Sequence, residues 1–77
     1  MSDLPRPSGK ELVSFLQKIG FDLVRVTGSH HFLRRDEQNT CVPVHGNQTL
    51  KIGTLRAILR DIGMFVTEFR ESWQRRR

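Results

Sequence analysis

The spacing of apolar residues changes twice along this chain, and nothing else in it constrains the fold as tightly. Leu12, Phe15, Leu16 and Ile19 recur at helical spacing, the stripe that one face of an α-helix buries. Before them, Ser8-Gly9-Lys10-Glu11 matches a capping box, the serine accepting from the amide three residues on while the glutamate reaches back. Gly20 is placed to close that helix in a left-handed conformation, so a first helix is predicted over Gly9 to Ile19. There the helical period stops. "FDLVRVT" (21–27), "HHFLRRD" (30–36) and "TCVPV" (40–44) are rich in β-formers, with Gly28-Ser29 and the polar "DEQN" as turn signals. Three short stretches joined by tight turns read as an antiparallel meander. Pro43 cannot donate a ladder hydrogen bond, so the third strand is an edge or ends there. Helical spacing returns in "KIGTLRAILRDIG" (51–63), where Ile52, Leu55, Ile58, Leu59 and Ile62 form one stripe and Gly63 is the stop. "TEFRESW" (67–73) reads as a last short helix, capped by Thr67 and pinned by Phe69 and Trp73. The order α-β-β-β-α-(α) predicts an α+β two-layer fold: a three-stranded antiparallel sheet with helices covering one face.

With 77 residues there is room for one core, so residues 1–77 read as a single domain. "MSDLPRP" (1–7), with two prolines and no periodicity, is expected to be a frayed, flexible lead-in, and residues 74–77 a basic tail. The lone cysteine, Cys41, excludes an internal disulfide, fits a reducing cytosol, and reads as a small buried hydrophobe. No apolar run approaches the ~20 residues of a membrane span and no signal peptide opens the chain, so a soluble cytoplasmic protein without membrane partners is expected. Charge says more about partners. Thirteen Lys and Arg against eight Asp and Glu give +5, with a sequence pI near 10.7. A pI above ~9 is the electrostatic footprint of a phosphate-binding protein. Arg75, Arg76 and Arg77 supply three of those charges as a solvated tail, and +2 remains without them. Nucleic acid is the partner class this balance favours.

The chemistry-bearing residues gather in "VTGSHHFLRR" (26–35). In an extended strand His30, Phe32 and Arg34 share one face and His31, Leu33 and Arg35 the other. Each face holds a histidine, an apolar residue and an arginine, so the pattern does not say which is buried. It does send the two histidines apart, leaving one as a candidate catalyst and the other as structural. Histidine suits acid/base work because its unperturbed pKa, ~6.5, lies near operating pH. Arg25, Arg34, Arg35 and Lys51 are the cationic donors that could hold an RNA phosphate. RNA needs no metal for cleavage, since its own 2′-hydroxyl attacks the adjacent phosphorus once a base removes the proton. A strand histidine is nonetheless more often a hydrogen-bonded structural residue. His45, in "VPVHGNQTL", reads equally as a second RNA-contacting group and as a loop cap for the second helix. A single Cys and scattered His match none of the paired zinc spacings, so neither a metal nor a cofactor is expected. Ser29 is discounted as a nucleophile, because adjacent turn residues seldom aim a base at the hydroxyl. Trp73 and the phenylalanines read as core residues, not as a base-stacking platform.

Several ordered stretches, "LQKIGF" (16–21), "GSHHFLRR" (28–35), "VPVHGNQTLKIGTLRAILRDIGM" (42–64) and "TEF" (67–69), resemble the HicA family of bacterial toxins. These are small mRNA-cleaving ribonucleases, or mRNA interferases, of type II toxin–antitoxin modules. The resemblance covers about residues 10 to 70. It implies an α-β-β-β-α fold similar to double-stranded-RNA-binding domains and a catalytic histidine after Gly-Ser. Carried over, that histidine is His30, with His31 as the lesser candidate because members vary between the two positions. Gly28 and Ser29 would shape the turn presenting it. The family's "K-G-T-L" reads Lys51-Ile52-Gly53-Thr54-Leu55 here, one residue wider. The implied substrate is mRNA and the implied partner a HicB-type antitoxin binding over the active site. Two rival classes remain open. A non-catalytic RNA-binding module predicts salt-sensitive binding without cleavage; a purely protein-binding module predicts tight association with an acidic protein and no affinity for RNA.

Overall fold

Helix α1 (Gly9–Lys18) starts where the sequence supplies its cap. Ser8 Oγ accepts from the Glu11 amide at 3.1 Å and Glu11 Oε1 accepts from the Ser8 amide at 3.0 Å. At its exit the Phe21 amide donates to the Leu16 carbonyl at 2.9 Å and the Gly20 amide to the Gln17 carbonyl at 3.2 Å, the paired bonds of a Schellman motif. Strands β1 (Asp22–Thr27), β2 (His30–Arg35) and β3 (Gln38–Pro43) follow as an antiparallel sheet in the order β1-β2-β3. Helices α2 (Ile52–Asp61) and α3 (Val66–Gln74) complete the chain. The computed structural model describes residues 4–76; the first three residues of the lead-in and Arg77 of the tail lie outside the described residues.

The predicted two-layer α+β arrangement is what forms. α1 lies across all three strands, α2 against β3, and α3 on α2. Leu12 and Leu16 of α1, Leu33 and Val42 of the sheet, Leu55 and Ile58 of α2 and Phe69 of α3 meet in one core. Burying a side chain of this size contributes about 1.5–3 kcal/mol, so these contacts hold the sheet to its helices. Phe69 packs edge-on to Phe15 of α1 with centroids 5.3 Å apart, and Trp73 lies 5.5 Å from Phe15. These two aromatics pin α3, as their spacing predicts.

Four details differ from the sequence expectation. The lead-in is tied down from Leu4: Leu4 joins the core, the Leu50 amide donates to the Pro7 carbonyl at 2.9 Å, and Ser8 bridges to Thr49. The "DEQN" turn shrinks to Asp36-Glu37, because β3 begins at Gln38 rather than Thr40. The cap of α3 falls two residues before the expected Thr67. Phe65 is the N-cap, without a side-chain cap bond, and its amide donates to Glu68 Oε1 at 2.9 Å. Ile52, at the first position of α2, is exposed, while the rest of its stripe is buried.

Candidate functional site

Two tight turns decide which sheet side chains share a face. Gly28-Ser29 connects the paired residues Thr27 and His30. Gly28 has φ 58°, and Ser29 is not in the positive-φ region, the pattern of a type II′ hairpin turn, which needs glycine first. A Cβ on Gly28 would meet nothing within 4 Å, so backbone conformation and not space selects the residue. At the other end Arg35 pairs with Gln38 across Asp36-Glu37, with Asp36 at φ 53°. Aspartate adopts that region more readily than most side chains. A bulge between Leu23 and Arg25 then sets Arg25 opposite Phe32.

From these registers the sheet face away from the helices carries three ranks. Thr27, His30 and Pro43 form the first, Arg25, Phe32 and Cys41 the second, and Asp22, Arg34 and Asn39 the third. The helix-facing side holds Leu23 and Val26, then His31, Leu33 and Arg35, then Gln38, Thr40 and Val42. Leu33 and Val42 are buried there, and that settles the question the alternating pattern of β2 leaves open. His30 is exposed on the open face; His31 is half-buried on the other, its Nδ1 3.4 Å from the Ser29 carbonyl oxygen. The histidines diverge, as alternation requires.

The candidate cations separate in the same way. Arg34 is exposed on the open face, one rank from Phe32 and two from His30. Arg25 lies over the Phe32 ring, its guanidinium carbon 4.8 Å from the centroid. Arg35, expected among the phosphate contacts, is instead engaged with the fold on the helix side. It donates to the Ile19 carbonyl at 2.8 Å and to Gln38 Oε1 at 3.1 Å, and it lies over the Phe21 ring at 4.6 Å.

Beside the first rank is a cleft of about 370 Å³ lined by Pro43, His45, Gln48, Lys51 and Thr54, among others. It follows directly from the way β3 ends. The Val44 amide donates to the Ser29 carbonyl at 2.7 Å, binding the chain after Pro43 to the turn before His30. His45 and Gln48 then close a turn (amide of Gln48 to carbonyl of His45, 2.9 Å) that leads to Lys51, the N-cap of α2. His45 and Lys51 thus share one cleft. His30 does not line it but adjoins it through its register partner Pro43. Gly9 sets the other limit: a Cβ there would fall 2.1 Å from the Pro43 carbonyl oxygen, so only glycine lets α1 approach the end of β3 this closely.

Two residues missed by sequence reasoning belong to the open face. Phe32, read as a core residue, is half-exposed beside His30, and Cys41, read as a buried hydrophobe, is half-buried next to it. Burial raises the Cys41 thiol above its ordinary pKa. The signal lay in the β2–β3 turn: with a two-residue connection Leu33 pairs with Thr40 and His31 with Val42, which puts Phe32 opposite Cys41 on the other side. Among the described residues no three His, Cys, Asp or Glu side chains converge as a metal site, and no helix is long and apolar enough to cross a membrane.

No curated protein matches the chain. The profile of one protein family, described as the HicA toxin of bacterial toxin–antitoxin systems, matches residues 9–64. That span takes in the capped first helix, the whole sheet, the Gly28-Ser29 turn with His30, the cleft and α2. Since it covers well over half of the 77 residues, the chain belongs to the HicA toxin family.

Proposed function

We propose that this HicA-family chain is an endoribonuclease that cleaves mRNA, with His30 as general acid and base. The observation that supports this most is the setting of His30, exposed at the start of β2, between a tight two-residue turn and the cleft that holds His45 and Lys51. In the reaction the His30 imidazole takes the proton from a ribose 2′-hydroxyl. That oxygen attacks the adjacent phosphorus, the P–O5′ bond breaks, and the protonated imidazole returns a proton to the leaving oxygen. The products are a 2′,3′-cyclic phosphate and a 5′-hydroxyl end. His45 and Lys51, beyond Pro43, hold phosphate oxygens and stabilise charge as it develops, and Arg34, two ranks further along the same face, holds a neighbouring phosphate. Gly28 and Ser29 fix the turn, and His31, against the Ser29 carbonyl, positions it. A HicB-type antitoxin fits as the inhibitory partner, covering His30; free toxin would then stop translation and growth by destroying message.

The deciding experiment compares wild type with His30→Ala on a synthetic RNA. Loss of general acid–base catalysis predicts a fall of about 10²–10⁴ in kcat/KM with an unchanged circular dichroism spectrum. His31→Ala should fall less. If His30→Ala cleaves as the wild type does, or if the products lack cyclic phosphate ends, the assignment fails.

A further inference from the structure

The second rank of the open sheet face places a flat, half-exposed aromatic directly beside the proposed catalytic histidine. Phe32 is two residues along β2 from His30, on the same side, about 7 Å away by strand geometry. Arg25 is held over its ring at 4.8 Å by the bulge between Leu23 and Arg25, and Arg34 is one further rank along. Proton transfer, π-surface and cation therefore succeed one another along a single strand. The face carries Arg25, Arg34 and His30 against one carboxylate, Asp22. Its apolar area comes from Phe32, Cys41 and Pro43, and Leu23 and Val26 of β1 belong to the helix-facing side, while Val24 is exposed at the bulge beside Arg25. A face with one π-stack and cations on either side is complementary to an unpaired nucleobase with its flanking phosphates. Bases stack on both aromatic rings and guanidinium planes.

We infer that Arg25 and Phe32 form a base-stacking subsite that holds, in a single-stranded RNA, the nucleotide next to the scissile phosphate. This rests on the ribonuclease reading above. A base in an A-form duplex is already stacked on both sides and cannot reach the sheet. A single strand can splay one base onto the guanidinium that lies over Phe32, leaving its phosphate against His30. Phe32 and Arg25 are then positioning residues, acting on where the phosphate sits and not on the proton.

The test uses a short single-stranded RNA, 2′-O-methylated throughout so that it cannot be cleaved, with 2-aminopurine as the reporting base. Wild type should bind it and quench its fluorescence, and should bind the same strand in a duplex at least about tenfold more weakly. Phe32→Leu should lose the quenching and about tenfold in affinity, and Phe32→Trp should keep both. Arg25→Gln, on the exposed edge strand, gives the same loss without touching any buried group. Cleavage of unmodified RNA, run alongside, separates the two readings. Wild-type cleavage with Phe32→Leu unchanged in affinity and KM overturns the stacking subsite and leaves the ribonuclease standing. Quenching that depends on Phe32 without any cleavage supports the subsite and overturns the ribonuclease. Equal binding of duplex and single strand, or a face that responds only to a protein partner, overturns the subsite.

Discussion

At the scale of single residues, Cys41 shows how a position on the open face differs from one in the core. Its neighbours in sequence, Thr40 and Val42, are buried against the helices, and Thr40 Oγ1 donates to Asp61 Oδ2 at 3.0 Å. Cys41 points the other way, opposite Phe32, and partial burial there raises its thiol pKa. A raised pKa means the folded state keeps the proton at a pH where the unfolded chain has lost it. The stabilisation this represents is complete below the unfolded thiol pKa, about 8.5, and is lost as pH rises through the folded value. The native protein should accordingly react with iodoacetamide more slowly than the urea-unfolded chain, with its pH–rate curve displaced to the alkaline side. Coincident curves would mean that the thiol is not desolvated on this face. Gly28 and Gly9 are the complementary cases, one chosen for a backbone angle and the other for the close approach of α1 to Pro43.

Between elements, the connection with most consequence is made by Arg35. Its guanidinium reaches the Ile19 carbonyl at the end of α1, and through Gln38, whose Nε2 donates to the Ile62 carbonyl at 2.8 Å, it reaches the end of α2. A cation at a helix C-terminus also complements the helix dipole. Arg35→Met keeps the stem over Phe21 but removes the donors, and bonds to charged groups are worth about 1.5–3 kcal/mol. At 4–8 °C per kcal/mol for a domain of this size, Tm should drop by roughly 10 °C, with RNA affinity unchanged in the folded protein. Arg34→Met should do the reverse: little change in Tm and weaker RNA binding. An Arg35→Met protein with unaltered Tm and impaired binding would return Arg35 to the phosphate contacts. This pair also marks how far the chain could be read in advance. The capped α1, the glycine-terminated helices and the meander are local patterns and were legible. The core face of "HHFLRR" was not, because both of its faces have the same composition; the choice is made by α1 lying across the sheet. Nor was Arg35's role, since its partner carbonyl is 16 residues away and becomes adjacent only when α1 and β2 pack. The divergence of the two histidines needed strand alternation alone, and it stands. The tie between Pro7 and Leu50 and the cap at Phe65 depend likewise on contacts or backbone geometry that no residue period announces.

The whole molecule spans 35 × 27 × 24 Å, and its cations fall on two sides. Arg25 and Arg34 stand on the open sheet face and Lys51 at the cleft beside it. Lys10, Lys18 and Arg76 cluster on the helical side, where Arg76 lies 3.7 Å over the Trp73 ring and its carbonyl accepts from Lys18 Nζ. The formal charge of +5 sums both sides and does not say which one meets RNA. Counterion release can, because each phosphate neutralised on a single strand contributes about −0.7 to the slope of log K against log salt. If Arg25, Arg34 and Lys51 each neutralise one phosphate, the slope is about −2. Arg34→Gln should then reduce its magnitude by about 0.7, although it removes only one charge. The double variant Arg75→Gln, Arg76→Gln removes two charges, taking the chain from +5 to +3, and should leave the slope where it was. At 0.1 M salt the Debye length is about 10 Å, so charges on the helical side are largely screened from a strand lying on the sheet. The opposite result, a slope that follows the tail and ignores Arg34, would put the RNA across the helices. His30 would then face away from its substrate, and both the cleavage site and the stacking subsite would have to be abandoned.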